Sequence, residues 1–211
     1  MDLTNEKIER RFLRLDVRAK QDGEKRFIEG YAAVFNQETV IGSWFREMIE
    51  PGAFKRVLSE KPDVIAAYNH NWEAVLARTT NGTLSLVEDE TGLHYRAEIN
   101  ENDPEALSVY AKVERGDVPQ ASFAFTVRAE KWVSPPNESK ELPLRSISEV
   151  DELYDVGPCP FGAYPQASAQ ARSKASEFQT VEPFVGQEPN EESTNPQEQV
   201  ADLRRRFLLA G

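Results

Sequence analysis

The sequence contains a single cysteine, Cys159, and only two histidines, His70 and His94. One cysteine cannot form an internal disulfide or a multi-cysteine zinc site, and its isolation fits a protein of a reducing compartment. A mechanism that needs an imidazole near neutral pH must use one of the two histidines. The scarcity of these side chains therefore restricts the candidate chemistry to a few positions.

Long apolar runs and an excess of basic charge are also missing. The unbroken apolar stretches fall far short of the ~20 residues of a membrane-spanning helix, and the charged segment 1–7 lacks the apolar core of a signal peptide. We therefore expect the protein to stay in the compartment where it is made. With 25 Lys and Arg against 36 Asp and Glu, the net charge is −11, which argues against partners such as nucleic acid or acidic membranes.

Phosphate-binding glycine loops of the Walker or dinucleotide type do not occur, which disfavours nucleotide enzymes. The helical two-histidine spacing of zinc peptidases is absent as well. We accordingly predict neither a metal site nor a cofactor.

Composition divides the chain of 211 residues into three predicted parts. Residues 1–172 carry the strand and helix patterns and are predicted to form one domain. Residues 173–199 hold three prolines and six glutamates against one lysine, which predicts a disordered acidic linker. Residues 200–211 place Val200, Leu203, Phe207 and Leu208 on one face of a short amphipathic helix, either a frayed terminus or a segment that folds on a partner.

Short alternating runs separated by turn residues predict a domain that is mainly β with a few helices, an α+β fold. The predicted strands are 13–19, 27–35, 64–69, 75–79, 84–87, 93–99, 121–128 and 147–156. So many short strands favour a closed or nearly closed β-barrel with peripheral helices. One helix is predicted to follow Gly52 and to include Val57, and a second to run from an Asp103 cap to Gly116.

The two histidines differ in their predicted positions. His70 ends an apolar run and is flanked by Asn69 and Asn71, so a buried strand emerges there into a polar loop, where functional residues concentrate. His94 lies within an alternating strand, where a place in the wall of the fold is the better interpretation. His70 is therefore the candidate base.

Ser122 is the serine to consider as a nucleophile. Strand alternation puts Phe123 and Phe125 on the core side and Ser122 and Ala124 on the other, where a small neighbour leaves room for a substrate. On spacing alone, an ordinary strand serine is the better interpretation, because a serine needs an adjacent base to become a nucleophile.

An acidic strand follows at 147–156 and could supply a carboxylate that orients the histidine. No local rule chooses among Glu149, Asp151, Glu152 and Asp155. Cys159 lies between two prolines with no histidine nearby in the sequence, and it is interpreted as a packed thiol.

Several ordered motifs resemble one known family, the prohead proteases of tailed bacteriophages. These capsid-maturation serine proteases are related in fold to the herpesvirus assemblins. The matching segments include Asn69-His70 and Ser122-Phe123-Ala124-Phe125, and they lie at 30–36, 45–54, 68–71, 75–79, 81–84, 115–118, 122–125, 149–150 and 163–166. The resemblance covers roughly residues 10 to 172 and ends where the composition changes.

The resemblance implies a barrel of the assemblin type, with His70 as general base and Ser122 as nucleophile. Assemblins use a second histidine as the third residue, but none follows Ser122 here, so a carboxylate must replace it. Glu149 matches the family position best. Asp155 is the alternative, because the family often has one residue fewer between the Glu-Val pair and the Leu-Tyr-acid-Val run that follows.

The resemblance also implies a function. It predicts a serine endopeptidase that works inside the immature prohead, in the host cytoplasm. Its expected partners are the major capsid protein and a scaffolding protein or scaffolding segment, with self-association as a further option, and its own tail is an expected substrate. The alternative is a non-catalytic capsid assembly or scaffold-binding protein with the same fold.

Overall fold

The computed structural model describes residues 8–13, 15–136 and 139–160. This part of the chain is mainly β with two α-helices, as predicted. The elements in chain order are β1 Glu9–Leu13, β2 Val17–Asp22, β3 Lys25–Val34, β4 Thr39–Ile41, β5 Phe45–Ile49, α1 Lys55–Ser59, β6 Ile65–Ala67, a 3-10 turn Tyr68–His70, β7 Val75–Arg78, β8 Leu84–Glu88, β9 Gly92–Ile99, α2 Pro104–Arg115, β10 Gln120–Val133 and β11 Leu144–Cys159. The linker predicted at 173–199 and the helix predicted at 200–211 lie outside the described residues.

The strands form two sheets. The larger sheet has seven strands, with β1-β10-β11-β5-β4 in order, β6 on β11 and β7 on β6, and the smaller sheet has the order β2-β3-β9-β8. A barrel closes only when its last strand pairs with its first. Within the described residues the two sheets stay separate, so the closed or nearly closed barrel is not confirmed.

The first predicted strand is divided between the two sheets. Leu13 ends β1 opposite Ala121 of the larger sheet, whereas Val17 begins β2 opposite Gly30 of the smaller sheet. The alternating pattern continues across this boundary, so the pattern could not reveal the change of sheet. β2 and β3 form a hairpin, and Gly23 supplies the left-handed residue of its turn with a φ of 62°.

Helix α2 follows its sequence signals closely. The Asp103 carboxylate accepts hydrogen bonds from the backbone N–H groups of Glu105 and Ala106, and Gly116 ends the helix in the left-handed conformation. Its buried side chains lie on one face of the helix: Ala106, Val109, Tyr110 and Val113. They join one apolar core with side chains of both sheets and α1, including Ile28, Tyr95, Phe123, Ile147 and Val57. No helix among the described residues is long and apolar enough to cross a membrane.

A cluster of buried charges links β1 to the middle of the larger sheet. Arg145 is fully buried and contacts Glu9 and Glu47 at 2.7 Å each, as well as Glu130. Arg11 contacts the same Glu9 and Glu47. Burial disfavours the Arg145 charge, but the hydrogen bonds that Arg145 donates to Glu9 and the charges of the three carboxylates outweigh that effect and raise the pKa of Arg145. Arg145 therefore stays charged, and its contacts with Glu9 tie β1 to the larger sheet.

Candidate active site

His70 lies in a tight turn directly after β6. Asn69 and His70 both adopt the left-handed conformation, with φ angles of 54° and 56°. Asparagine tolerates this conformation better than most residues. Backbone hydrogen bonds close the loop: Tyr68 N–H donates to Ala74 O, and Ala74 N–H donates to Asn71 O. The strained turn thus holds the imidazole in one place.

A glycine on β11 lets this turn approach the strand closely. Asp155 and Val156 of β11 pair with Ile65 and Ala66 of β6. A Cβ atom at position 157 would lie 2.2 Å from the carbonyl oxygen of Ala67, well inside van der Waals contact. Only glycine fits there, and its small size brings β11 against the segment that carries His70.

The imidazole of His70 is hydrogen-bonded to Asp155. The distance between Nδ1 and Oδ1 is 2.7 Å; Asp155 is fully buried and the His70 side chain is 5% exposed. Because a carboxylate only accepts, we assign the proton to Nδ1, which leaves Nε2 of the neutral ring as an acceptor. Among the described residues, Nε2 has no hydrogen-bond partner. A buried base with an open acceptor site is thereby oriented by a carboxylate.

The strand register puts Ser122 on the same side of the sheet as this pair. Ser122 is opposite Gly157, and Ala124 is opposite Asp155, and residues directly opposite each other project to one side. Phe12 of β1 is the other neighbour of Ser122, and its ring meets the edge of the His70 ring at 4.7 Å between centroids. The strands on both sides of Ser122, β1 and β11, thus carry residues that contact His70: Phe12 and Asp155.

Ser122 is enclosed in this structure. Its exposed fraction is 0%, and its Oγ donates to the Gly157 carbonyl oxygen at 3.3 Å. The sequence predicted room for a substrate beside Ala124, yet Ala124 is fully buried as well. A peptide can reach the hydroxyl only after covering groups move, and Phe12 is the cross-strand neighbour of Ser122 on β1.

Glu149, the carboxylate that the family position favoured, is not brought to this histidine. Its Oε1 accepts from Arg56 Nε at 2.6 Å. It precedes Asp155 by six residues on the same strand, which corresponds to roughly 20 Å along an extended chain. Asp155, the alternative, is the acid beside His70.

Two contributors to the site were missed by sequence reasoning. Phe12 gives no local signal, because its role depends on β1 pairing with β10. Trp72 follows His70 by two residues, and its indole N–H donates to Oδ2 of Asp155 at 2.5 Å. Its position in the loop of the candidate base was the only available hint.

His94 lies in β9 and packs against Tyr31, with ring centroids 5.2 Å apart, in keeping with a place in the wall of the fold. Within the described residues, no group of three or more His, Cys, Asp or Glu side chains is arranged to hold a metal ion.

Cys159 is a free, buried thiol, as the sequence indicated. Burial raises its pKa to about 12, and a hydrogen bond with Ser122 only partly opposes that rise. At neutral pH the group is therefore a thiol rather than a thiolate, and it is unsuited to act as a nucleophile.

This protonation state predicts slow alkylation of Cys159. At pH 8 we expect iodoacetamide to modify the folded protein about 10³-fold more slowly than the urea-unfolded protein, because only the thiolate reacts. The rate should rise about tenfold per pH unit as the pH approaches the raised pKa, provided the fold persists. Mass spectrometry of timed samples measures both rates. Equal rates for the folded and unfolded chains would contradict the assignment.

Comparison with known proteins identifies the family to which the chain belongs. The sequence profile of the family described as caudovirus prohead serine protease matches residues 13–182. The chain belongs to this family, and it is a phage serine protease of the capsid-maturation type. The resemblance drawn from the sequence motifs is confirmed.

Proteins of two phages are similar to this chain. Over 168 residues the chain is 28% identical to the prohead protease of Enterobacteria phage HK97, and the alignment covers 79% of this chain and 68% of that protein. Among solved structures, the capsid assembly protease of bacteriophage T4 is similar, with a TM-score of 0.42 and 12% identity over 72% of this chain and 98% of that one.

Proposed function

We propose that the chain is a prohead maturation endopeptidase with Ser122 as nucleophile, His70 as general base and Asp155 as the residue that orients the base. One observation carries the proposal: the His70 Nδ1–H is bound to a fully buried carboxylate while Nε2 is open, on the side of the sheet where Ser122 projects. This arrangement has the roles of a serine protease triad. We assign the third role to Asp155 and not to Glu149, because the Glu149 carboxylate is hydrogen-bonded to Arg56.

The chemistry is an acyl transfer in two halves. Nε2 of His70 takes the proton from the Ser122 hydroxyl as Oγ attacks the scissile carbonyl carbon. The resulting imidazolium lies against the Asp155 carboxylate, which stabilises its charge. His70 then gives the proton to the leaving amine as the peptide bond breaks. Water attacks the acyl-enzyme, with His70 again as base, and frees Ser122.

The proposed substrates are capsid components. Membership in the prohead protease family supports a scaffolding protein, or the scaffolding segment of the major capsid protein, as the target inside the immature prohead. The chain's own tail is a second proposed substrate, because the composition of residues 173–199 predicts the extended, exposed backbone that proteases require. Self-association is a further expectation of the sequence analysis.

Co-expression with the cognate coat and scaffolding proteins tests the function. The wild type should cleave them, and Ser122→Ala should leave them intact while it still enters the particles. Ser148→Ala is a matched control, because Ser148 also lies on a strand of the larger sheet and its Oγ donates to a backbone carbonyl at 3.3 Å. This variant should cleave at the wild-type rate.

Mass spectrometry of the purified particles identifies the cleaved bonds. Undiminished cleavage by Ser122→Ala would refute the nucleophile. The alternative, a non-catalytic capsid assembly or scaffold-binding protein, predicts that wild type and Ser122→Ala assemble alike and that neither cleaves anything.

A further inference from the structure

We infer that Trp72 is a positioning residue for the catalytic acid: its indole N–H fixes the orientation of Asp155, and through it that of His70. The inference rests on the proposed function. Trp72 contacts Asp155, Tyr154 and Arg10, so its effect on His70 is exerted through the carboxylate.

Each oxygen of the Asp155 carboxylate has its own donor. Oδ1 accepts from His70 Nδ1 at 2.7 Å, and Oδ2 accepts from Trp72 Nε1 at 2.5 Å. The Asp155 side chain is fully buried, and a buried polar group is costly unless its oxygens are hydrogen-bonded. With both oxygens held, the group cannot rotate about its Cβ–Cγ bond, and Oδ1 stays directed at the imidazole.

Both donors come from the same short loop. His70 and Trp72 lie on either side of Asn71, whose side-chain oxygen accepts from Glu73 N–H at 3.1 Å and whose backbone oxygen accepts from Ala74 N–H at 2.9 Å. These bonds fix the spacing of the two side chains. The loop therefore holds the carboxylate at two points, and β11 supplies only the acid.

The Trp72 ring is itself held in place. It stacks on Tyr154 with centroids 6.2 Å apart and an interplanar angle of 23°, and the Arg10 guanidinium lies 5.7 Å from its centroid. The side chain is nevertheless among the exposed large hydrophobic groups, at 42%. A half-exposed indole contributes less to the core than a buried ring does. The main contribution of Trp72 is therefore the hydrogen bond of its N–H to Asp155.

Trp72→Phe removes the N–H and keeps an aromatic ring for stacking. We expect it to lower the rate of coat or scaffold cleavage about 10- to 100-fold, the effect of one hydrogen bond to a charged group. The amount of protease that enters the particles should not change, because the lost contact acts on the chemical step. Trp44→Phe is the matched control: Trp44 precedes β5, which pairs with the opposite end of β11 from Asp155. It should cleave at the wild-type rate.

A spectroscopic measurement reports the contact itself. In the full chain carrying Ser122→Ala, which prevents self-cleavage, the three tryptophans give three indole N–H resonances. Trp72→Phe identifies the resonance of Trp72. A hydrogen bond to a carboxylate deshields the proton, so Asp155→Ala should move this resonance upfield. Unchanged Trp44 and Trp132 resonances would show that the fold is kept.

The outcomes separate this inference from the proposed function. Cleavage by Ser122→Ala would remove the proposed function. If Ser122→Ala is inactive but Trp72→Phe cleaves at the wild-type rate, Trp72 has no positioning role. A positioning role is also excluded if Asp155→Ala leaves the chemical shift of the Trp72 indole N–H unchanged while the Trp44 and Trp132 resonances show that the fold is kept.

Discussion

Asp155→Asn is expected to lower the rate of substrate cleavage by about 10⁴-fold, the loss typical of a triad acid, while the protein remains folded. The amide can donate its own N–H toward Nδ1 of His70, which favours the tautomer that carries its proton on Nε2. That tautomer cannot accept the Ser122 proton. The decrease is measured as the rate of coat or scaffold processing in co-expressed particles, with circular dichroism as the check on folding.

Glu149→Gln is the matched control for this change. It makes the same replacement of a carboxylate by an amide on the same strand, at a side chain bonded to Arg56. The Glu149 side chain is 33% exposed, so the loss of its ion pair should cost at most about 1 kcal/mol of stability and should not affect cleavage. If Glu149→Gln were inactive and Asp155→Asn active, the family position would identify the acid and our assignment would be wrong.

The second large effect concerns stability. Arg145→Met should lower the free energy of unfolding by about 3–5 kcal/mol, because it leaves Glu9, Glu47 and Glu130 with one guanidinium fewer in a buried site. Urea denaturation followed by circular dichroism measures the change. Since Glu9 and Phe12 both lie on β1, we expect this strand to be destabilised most.

Arg128→Met is the control for Arg145→Met. Arg128 pairs with Glu149 and Asp151 at 3.6 and 3.4 Å, but its side chain is 54% exposed. Surface pairs contribute about 0–1 kcal/mol, so this variant should unfold close to the wild type. Equal losses in the two arginine variants would mean that burial of the cluster does not matter, and a more stable Arg145→Met protein would show that the ion pairs are not needed for stability.

The sequence was most informative where the determinants are local. Both ends of helix α2 could be predicted, because the Asp103 cap and Gly116 each act within one turn of the helix. Sheet closure depends on which distant strands pair, and alternation within a strand contains no such information. This is why two separate sheets were found where a barrel was expected.

In the candidate site, too, local signals identify some residues, while others depend on which distant segments pair. His70 is indicated by its position where an apolar run ends in a polar loop, whereas Ser122 resembles an ordinary strand serine by spacing and is singled out by the family motif around it. The acid could not be chosen locally, because the contact between β11 and β6 decides it. Counting alternate faces from Glu149 to Asp155 also fails, since the β10–β11 register shifts within that span.

The hydrogen atom that serves as the side chain of Gly157 sets how near the loop of His70 can come to the strand that carries Asp155. Even the methyl group of an alanine would push β11 away from the backbone of Ala67, and the distance between the His70 imidazole and the Asp155 carboxylate would increase. Attempts to redesign this protease for other peptides should therefore vary the surrounding side chains and leave this position alone.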